Sequence, residues 1–445
     1  MQKDQTLAVK VRAVKVPDFT ISLQFNAAAT ASAADTNHFT ENTIMAKNKQ
    51  TPPAKSTVPA DDEDPLAQAL CDLAIELVEG VDSESMKEAL KQKEIDLHRI
   101  IRKSLQRKKD DTLHEALDLA RYADGSAWQL LNERIEEASG VVVFRRDHGA
   151  DLEINAFLVP IFVQTTGGLD REETFQDEEA FDLLRQSFKD AQLESRDATV
   201  VLVSHAYHLD EMDRIDYSDL NEMVREAYTT MTSKKVVATP AIDRSFSGWP
   251  ASSFEPTDQA LELRFLLGFA LKATDDPFYQ VPADEADADA YFEARGERFQ
   301  RWTEQAAPLL ARCLAKDHAG IEINFLYQDL FHGGKERGAA EYYTLQMMSE
   351  LNHGLRQHGA EARDTKAIMG PAEVEDELVL RVNLYAEADG ALLASSDKPM
   401  AAAGDFESEA DDAYDALMTM GVKSLSLAVR FDAAGQPVDA QPYEV

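Results

Sequence analysis

Apolar positions along this chain keep two rhythms, and the change from one to the other divides it. From Pro65 to Ala138 they recur every three or four residues. Leu66, Leu70, Leu73 and Leu77 make one such stripe, and Met86, Leu90, Leu97, Ile101 and Leu105 a second. Leu113, Ala116, Leu117 and Ala120 make a third, then Trp128, Leu131, Ile135 and Ala138 a fourth. That spacing lines one face of an α-helix. Asp64 can cap the first helix with Pro65 at its first position, and Gly80 can end it. Four short amphipathic helices with short connections predict a small bundle or a cap.

From Val141 onward the rhythm is that of strands. Val141 to Phe144 and Leu152 to Val163 bracket Asp147-His148-Gly149, a hairpin signal. Phe157 to Val163 opens a unit that continues with a helix carrying Phe181, Leu184, Phe188 and Ala191. A strand from Thr199 to Ala206 follows, then a helix with Leu220, Met223, Ala227 and Met231. Phe265 to Leu271 opens a second unit of the same order. Its helix carries Phe299, Trp302, Ala306, Leu309 and Cys313, its second strand runs Ile321 to Tyr327, and its last helix has Met347, Leu351 and Leu355. A strand, a helix and a strand in one sheet imply parallel strands joined by a crossover. Pro160 and Gly268 hold equivalent places in the two opening strands, which points to an edge-proximal strand. The acidic tract Asp284 to Asp289 reads as an enlarged loop. A partial third copy starts at Leu378, with a hairpin at Ala388-Asp389-Gly390, a helix near Tyr414 and Leu417 and a strand from Ser424 to Phe431; the tail after Gly435 reads as loose.

The expected fold is therefore α/β, with tandem strand–helix–strand–helix repeats, two full copies and a partial third, behind a small all-helical region. The segments are a leader and tether over residues 1–64, of which 1–44 read as an over-extended start, and a helical region over 65–139. The first copy covers 140–260, the second 261–372, and the partial third with the tail 373–445. Residues 1–64 offer too little apolar surface to fold.

Charge narrows the function classes. The formal net charge is -36, which repels nucleic acids and anionic membranes at long range. The run from Arg99 to Lys109 is basic, and on a helix it reads as a solvated face or as partners for nearby acids. Cys71 and Cys313 are the only cysteines, at apolar positions that suit a reducing compartment. No CxxC pair, Walker sequence, HExxH, EF-hand loop or Gly-x-Ser-x-Gly elbow occurs, so no cofactor and no metal is expected.

Two places could carry chemistry. His205-Ala206-Tyr207-His208 ends a strand just before Asp210 and Glu211. Imidazoles and carboxylates together can bind a metal or move protons, although on a strand His205 and His208 point to opposite faces. The plainer reading is a polar strand end capping the next helix. Phe331 to Gly338 holds the equivalent place in the second unit. There His332, Gly333, Gly334 and Lys335 could cradle an anion at a helix start, or form a simple glycine turn. Trp249, in the loop Ser245 to Pro250, could anchor a partner or pack that loop onto the sheet.

Leu70 to Ala74, Thr112 to Asp118, Phe157 to Phe162, His205 to Leu209 and Ala260 to Leu271 resemble an uncharacterised bacterial domain-of-unknown-function family typical of beta-proteobacteria. The similarity spans roughly residues 65 to 432. It implies a bacterial, cytoplasmic setting and carries no established activity. The leading expectation is a non-enzymatic binding or regulatory protein with a protein partner. The alternatives are an enzyme or small-ligand binder with a site at the strand ends between the two units, and an acidic nucleic-acid mimic that binds basic proteins.

Overall fold

The structure, a computed structural model, describes residues 64–80, 87–165, 175, 177–193, 197–232, 261–276, 284–315, 320–326, 331–374, 377–400 and 406–443. The expectations for residues 1–63, Trp249 and its loop lie outside them.

Four helices come first: α1 (Pro65–Glu79), α2 (Lys87–Gln106), α3 (Asp110–Ala123) and α4 (Gly125–Gly140). Asp64 caps α1, its carboxylate accepting the Leu66 N–H at 2.9 Å, and Asp124 caps α4 through Ala127. Their stripes meet in one core of Leu70, Cys71, Leu97, Ile101, Leu113, Leu131 and Ile135. In the basic run, Arg99 pairs with Asp96, and Lys108 pairs with Glu222 at 2.6 Å.

The first sheet is built from β1 (Val141–Phe144), β2 (Leu152–Thr165), β3 (Thr199–His208), β4 (Leu261–Ala273) and β5 (Ile321–Phe325). Its order is β1-β2-β4-β3, with β5 pairing β2 beyond the end of β1. Every pairing is antiparallel. β2 and β3 thus run parallel with β4 between them, and β4 and β5 run parallel with β2 between them. The crossover helices are α5 (Glu178–Asp190) and α8 (Glu285–Leu314). They cover one face, where Phe157, Val159, Ile161, Leu184, Phe188 and Trp302 pack. The other face carries Ile154, Leu158, Phe265, Leu267 and Phe269. It packs against α7 (Tyr217–Thr232) and the first half of α9 (Phe331–His358).

The edge-strand reading of Pro160 and Gly268 is wrong: β2 and β4 are the two central strands. Pro160 is tolerated because its carbonyl accepts from Leu326 at 3.1 Å, on the β5 side. A residue's N and O point to the same side of a strand, so the missing donor falls just beyond the Ile161–Phe325 end of the β5 ladder and not within the β2–β4 pairing. Gly268 lies opposite Phe157, whose ring covers it; a Cβ there would clash with the outer carbons of that ring. The acidic tract is also not a loop. Asp284 caps α8, accepting from Ala286 at 3.1 Å, and the acids after it form the first turns. Negative charge is favoured at that end of a helix.

The second sheet contains β6 (Thr365–Val374), β7 (Glu377–Ala386), β8 (Leu392–Pro399), β9 (Ser424–Leu427) and β12 (Gln441–Pro442), in the order β12-β9-β6-β7-β8. β10 (Arg430–Phe431) pairs β11 (Pro437–Val438) beside it. One face packs on the second half of α9 and on α10 (Phe406–Met420), through Leu351, Leu355, Leu380, Val382, Leu384 and Leu417. α9 therefore serves both sheets. The hairpin at Ala388 to Gly390 joins β7 to β8 as expected, but the region is not a third opening strand followed by a crossover. The strand beginning at Leu378 is the middle of an antiparallel β6-β7-β8 meander, and only β9 returns parallel, to β6. The tail is not loose either: Tyr443 N–H donates to Leu425 and its hydroxyl to Asp411.

Candidate functional site

His205 and His208 lie at the end of β3. Between Leu202 and Ala206 this strand advances four residues while β4 advances two, so the ladder bulges just before the histidines. The chain then turns into the short helix α6 (Leu209–Met212), with His208 as its N-cap residue. That turn brings both histidines to one group. The Glu211 carboxylate accepts the His208 backbone N–H at 2.7 Å and sits 3.3 Å from His205 Nε2. Burial works against ionisation of Glu211, and the hydrogen bonds from His205 and the His208 N–H outweigh it, so its acidity is raised. The His205 ring also meets Tyr207 edge-on, with centroids 4.4 Å apart. Beside them Arg264 bonds Glu262 at 2.8 Å and the Ala206 carbonyl at 3.2 Å.

Gly333, Gly334 and Lys335 do not form a turn. They lie within the first turns of α9, because the helix starts at Phe331. The expected glycine loop is corrected accordingly. Lys335 Nζ reaches Asp213, just past α6, at 2.9 Å. α6 and the start of α9 are therefore neighbours. His332 belongs to the α9 backbone, and its side chain is outside the described ones.

A second cluster lies where α4, α7 and α9 meet, and sequence reasoning missed it. Its members are Glu136, Tyr217 and Glu336, with Lys335 alongside. Desolvation by burial, then the Glu336 charge, push the Glu136 carboxyl up to about 7. Asn132 donates to it at 2.8 Å, which pulls the other way. Glu336 is raised too, by desolvation in the crevice between helices, although much of its side chain reaches solvent. Tyr217 is held well above the ordinary phenol range by burial, followed by the charges of Glu136 and Glu336. Nothing in a chain this acidic marks Glu136 out; its burial depends on helices far apart in sequence.

A cavity of about 510 Å³ lies elsewhere, lined by Leu152, Asp197, Thr199, Leu271, Lys272 and Asp275 among others. It adjoins the Thr199–Leu271 end of the β3–β4 ladder, whereas His208 pairs with Arg264 at the other. Seven residues of strand separate them, about 23 Å. Among the described residues no group of three or more His, Cys, Asp or Glu is placed to hold a metal ion. No helix among them is long and apolar enough to cross a membrane.

The model of a family described as a protein of unknown function (DUF2863) matches residues 60–372 of the chain. No curated protein and no solved structure matches it.

Proposed function

The chain belongs to the DUF2863 family, and on that premise we propose that it is a non-enzymatic binding or regulatory protein whose partner is a protein. The observation that carries this reading is the internal pairing of the strand-end groups. Glu211 holds the His208 N–H and His205, and Lys335 holds Asp213. A general base or a nucleophile needs a group facing substrate; these face each other, as a latch between α6 and α9 would. We extend the proposal to the architecture: β2-α5-β3-α7 and β4-α8-β5-α9 are two copies of one unit, exchanging strands about the β2–β4 pair. Support comes from the strand order β5-β2-β4-β3, which reads the same when the two units are swapped.

The second reading, a small-ligand site at these strand ends, is favoured by the approach of α6 to the start of α9. One set of measurements separates the two. Under the binding-protein reading, His205→Ala and His208→Ala lower stability by about 1 kcal/mol each, and leave the set of proteins captured from the native host unchanged. Stoichiometric metal or a small molecule that co-purifies with the full chain, and is lost in both variants, would overturn it.

A further inference from the structure

Helix α2 turns one face to the bundle core and the other away from it. Leu97, Ile101 and Leu105 are buried in that core. On the opposite side Ile95, Arg99 and Arg102 follow at i, i+4 and i+7, with Lys103 and Arg107 one and two turns beyond Arg99. All five are exposed, Ile95 by 51%. From Leu97 to Lys109 there are six Lys or Arg and no acid, in a chain whose formal net charge is -36. Pairing within the chain is incomplete. Asp96 binds Arg99 at 2.8 Å and Glu222 binds Lys108 at 2.6 Å. Among the described residues no carboxylate pairs with Arg102, Lys103 or Arg107. The neighbouring α7 adds Arg225, bonded to Asn221 at 2.9 Å and held below its ordinary pKa by burial, then by the charge of Arg102. A single exposed isoleucine is ordinary. One set among four cations gives the face an apolar centre and a charged rim, which is how protein contacts are built.

We propose that this face of α2 is a docking surface for an acidic amphipathic helix of the partner protein. The inference rests on the protein-partner reading above and adds the place and the chemistry. From Ile95 to Arg107 the face is about 18 Å long, or some three turns of a partner helix. Carboxylates at three- and four-residue spacing on that helix meet Arg99, Arg102, Lys103 and Arg107, and an apolar side chain between them covers Ile95. Phosphates supply the charge but leave Ile95 uncovered, which favours a polypeptide over a nucleic acid. At physiological salt the field of distant acids is screened within about 8 Å, so the local sign governs the contact.

Fluorescence anisotropy tests this, the full chain being titrated into labelled probes at near-physiological salt. One probe is a synthetic helical peptide with Glu at three- and four-residue spacing around central leucines. The second is that peptide with its leucines replaced by serine, and the third a single-stranded oligonucleotide of equal charge. The leucine peptide should bind saturably, more weakly as salt rises, and tighter than the other two. Arg102→Glu with Lys103→Glu should weaken it roughly tenfold or more, and Ile95→Ser about threefold. Thermal melts should not move, because these side chains face solvent. Should the reversed pair fail to fold, Arg102→Gln with Lys103→Gln reads the same loss in milder form.

Absence of saturable binding by the leucine peptide overturns the proposal. So does binding that survives the charge changes, or an oligonucleotide that binds tighter than the peptide, which would make the face a polyanion site. Self-association of the chain in sedimentation that the charge reversal abolishes would make a second copy the occupant, and also overturns it. If the titration fails while the wild-type chain and the reversed variant capture the same proteins from the native host, the α2 face is wrong and the protein-partner reading stands. A small molecule lost in His205→Ala removes that reading instead.

Discussion

The two sheets solve the same problem differently. The first lies between helices on both faces, so its central strands are apolar almost throughout: Phe157 to Phe162 and Leu266 to Ala270 are buried at nearly every position. The second is covered by helices on one face only. There β8 alternates, with Ala394, Ser396 and Lys398 buried and Ser395, Asp397 and Pro399 exposed. Its other face carries a small apolar cluster of Ala372, Val379 and Phe431 beside a polar network. Arg381 grips Asp397 at 2.6 and 2.7 Å, and Ser395 donates to Asn383, which donates to Tyr385. Two-sided burial removes the alternation that one-sided burial keeps. Both sheets add ion pairs to packing: the first has Lys272 with Glu153 and Arg264 with Glu262, partly buried, and the second has Lys398 with Glu409, which is buried.

Three substitutions probe that contrast, in falling order of effect. Phe157 fills the first sheet's core, over Gly268 and beside Phe188, their ring centroids 5.2 Å apart. Phe157→Ala should cost about 3–5 kcal/mol in denaturant unfolding. A loss below about 1 kcal/mol would mean that this core is not what holds the sheet.

Glu409→Ala in α10 strands the Lys398 ammonium, which is fully buried in β8. It should cost about 3 kcal/mol. The double change Lys398→Met with Glu409→Leu should recover most of that loss, since the pair's benefit is cancelled largely by desolvation. If the double variant is no better than the single, the pair contributes more than packing can replace.

Arg381→Ala removes a bidentate pair from the open face of the second sheet. The expected cost is at most about 1 kcal/mol in the same assay. A cost equal to that of Phe157→Ala would erase the distinction between a covered and an uncovered face.

Legibility followed burial geometry. The helices were readable because Leu66 to Leu77 and Leu113 to Ala120 bury one face each, which leaves a three-to-four period. The β1–β2 hairpin was readable from Asp147-His148-Gly149, where Gly149 takes a positive φ of 86°. β6 shows no strand period because Gly370 and Pro371 interrupt it; Gly370 is required there because the Ala428 carbonyl lies against it. The first turns of α8 and α9 resemble loops in sequence, since acids and glycines are common in both. A helix start differs only in what its N–H groups meet.

Of the candidate groups, His205 and His208 were visible as a pair, and their position at a strand end was legible from Val200 to Val203. Their common partner, Glu211, was visible only as a nearby acid. A period-two argument sends the two side chains to opposite faces, and Glu211 is met by different parts of the two residues, the His205 ring and the His208 backbone N–H.

By itself the sequence determined the four N-terminal helices, the β1–β2 hairpin and the apolar runs that become β2, β3 and β4. Those outcomes depend on local periods and on total apolar content. Tertiary structure alone decided that β4 inserts between β2 and β3 and that α9 spans two sheets. These join elements that are not neighbours along the chain: Leu152 pairs Ala273, His208 pairs Arg264, and Ser396 bonds Glu350 of α9. Local sequence sets what a segment can bury, while the partner it buries against is settled by the competition among all faces of the chain at once.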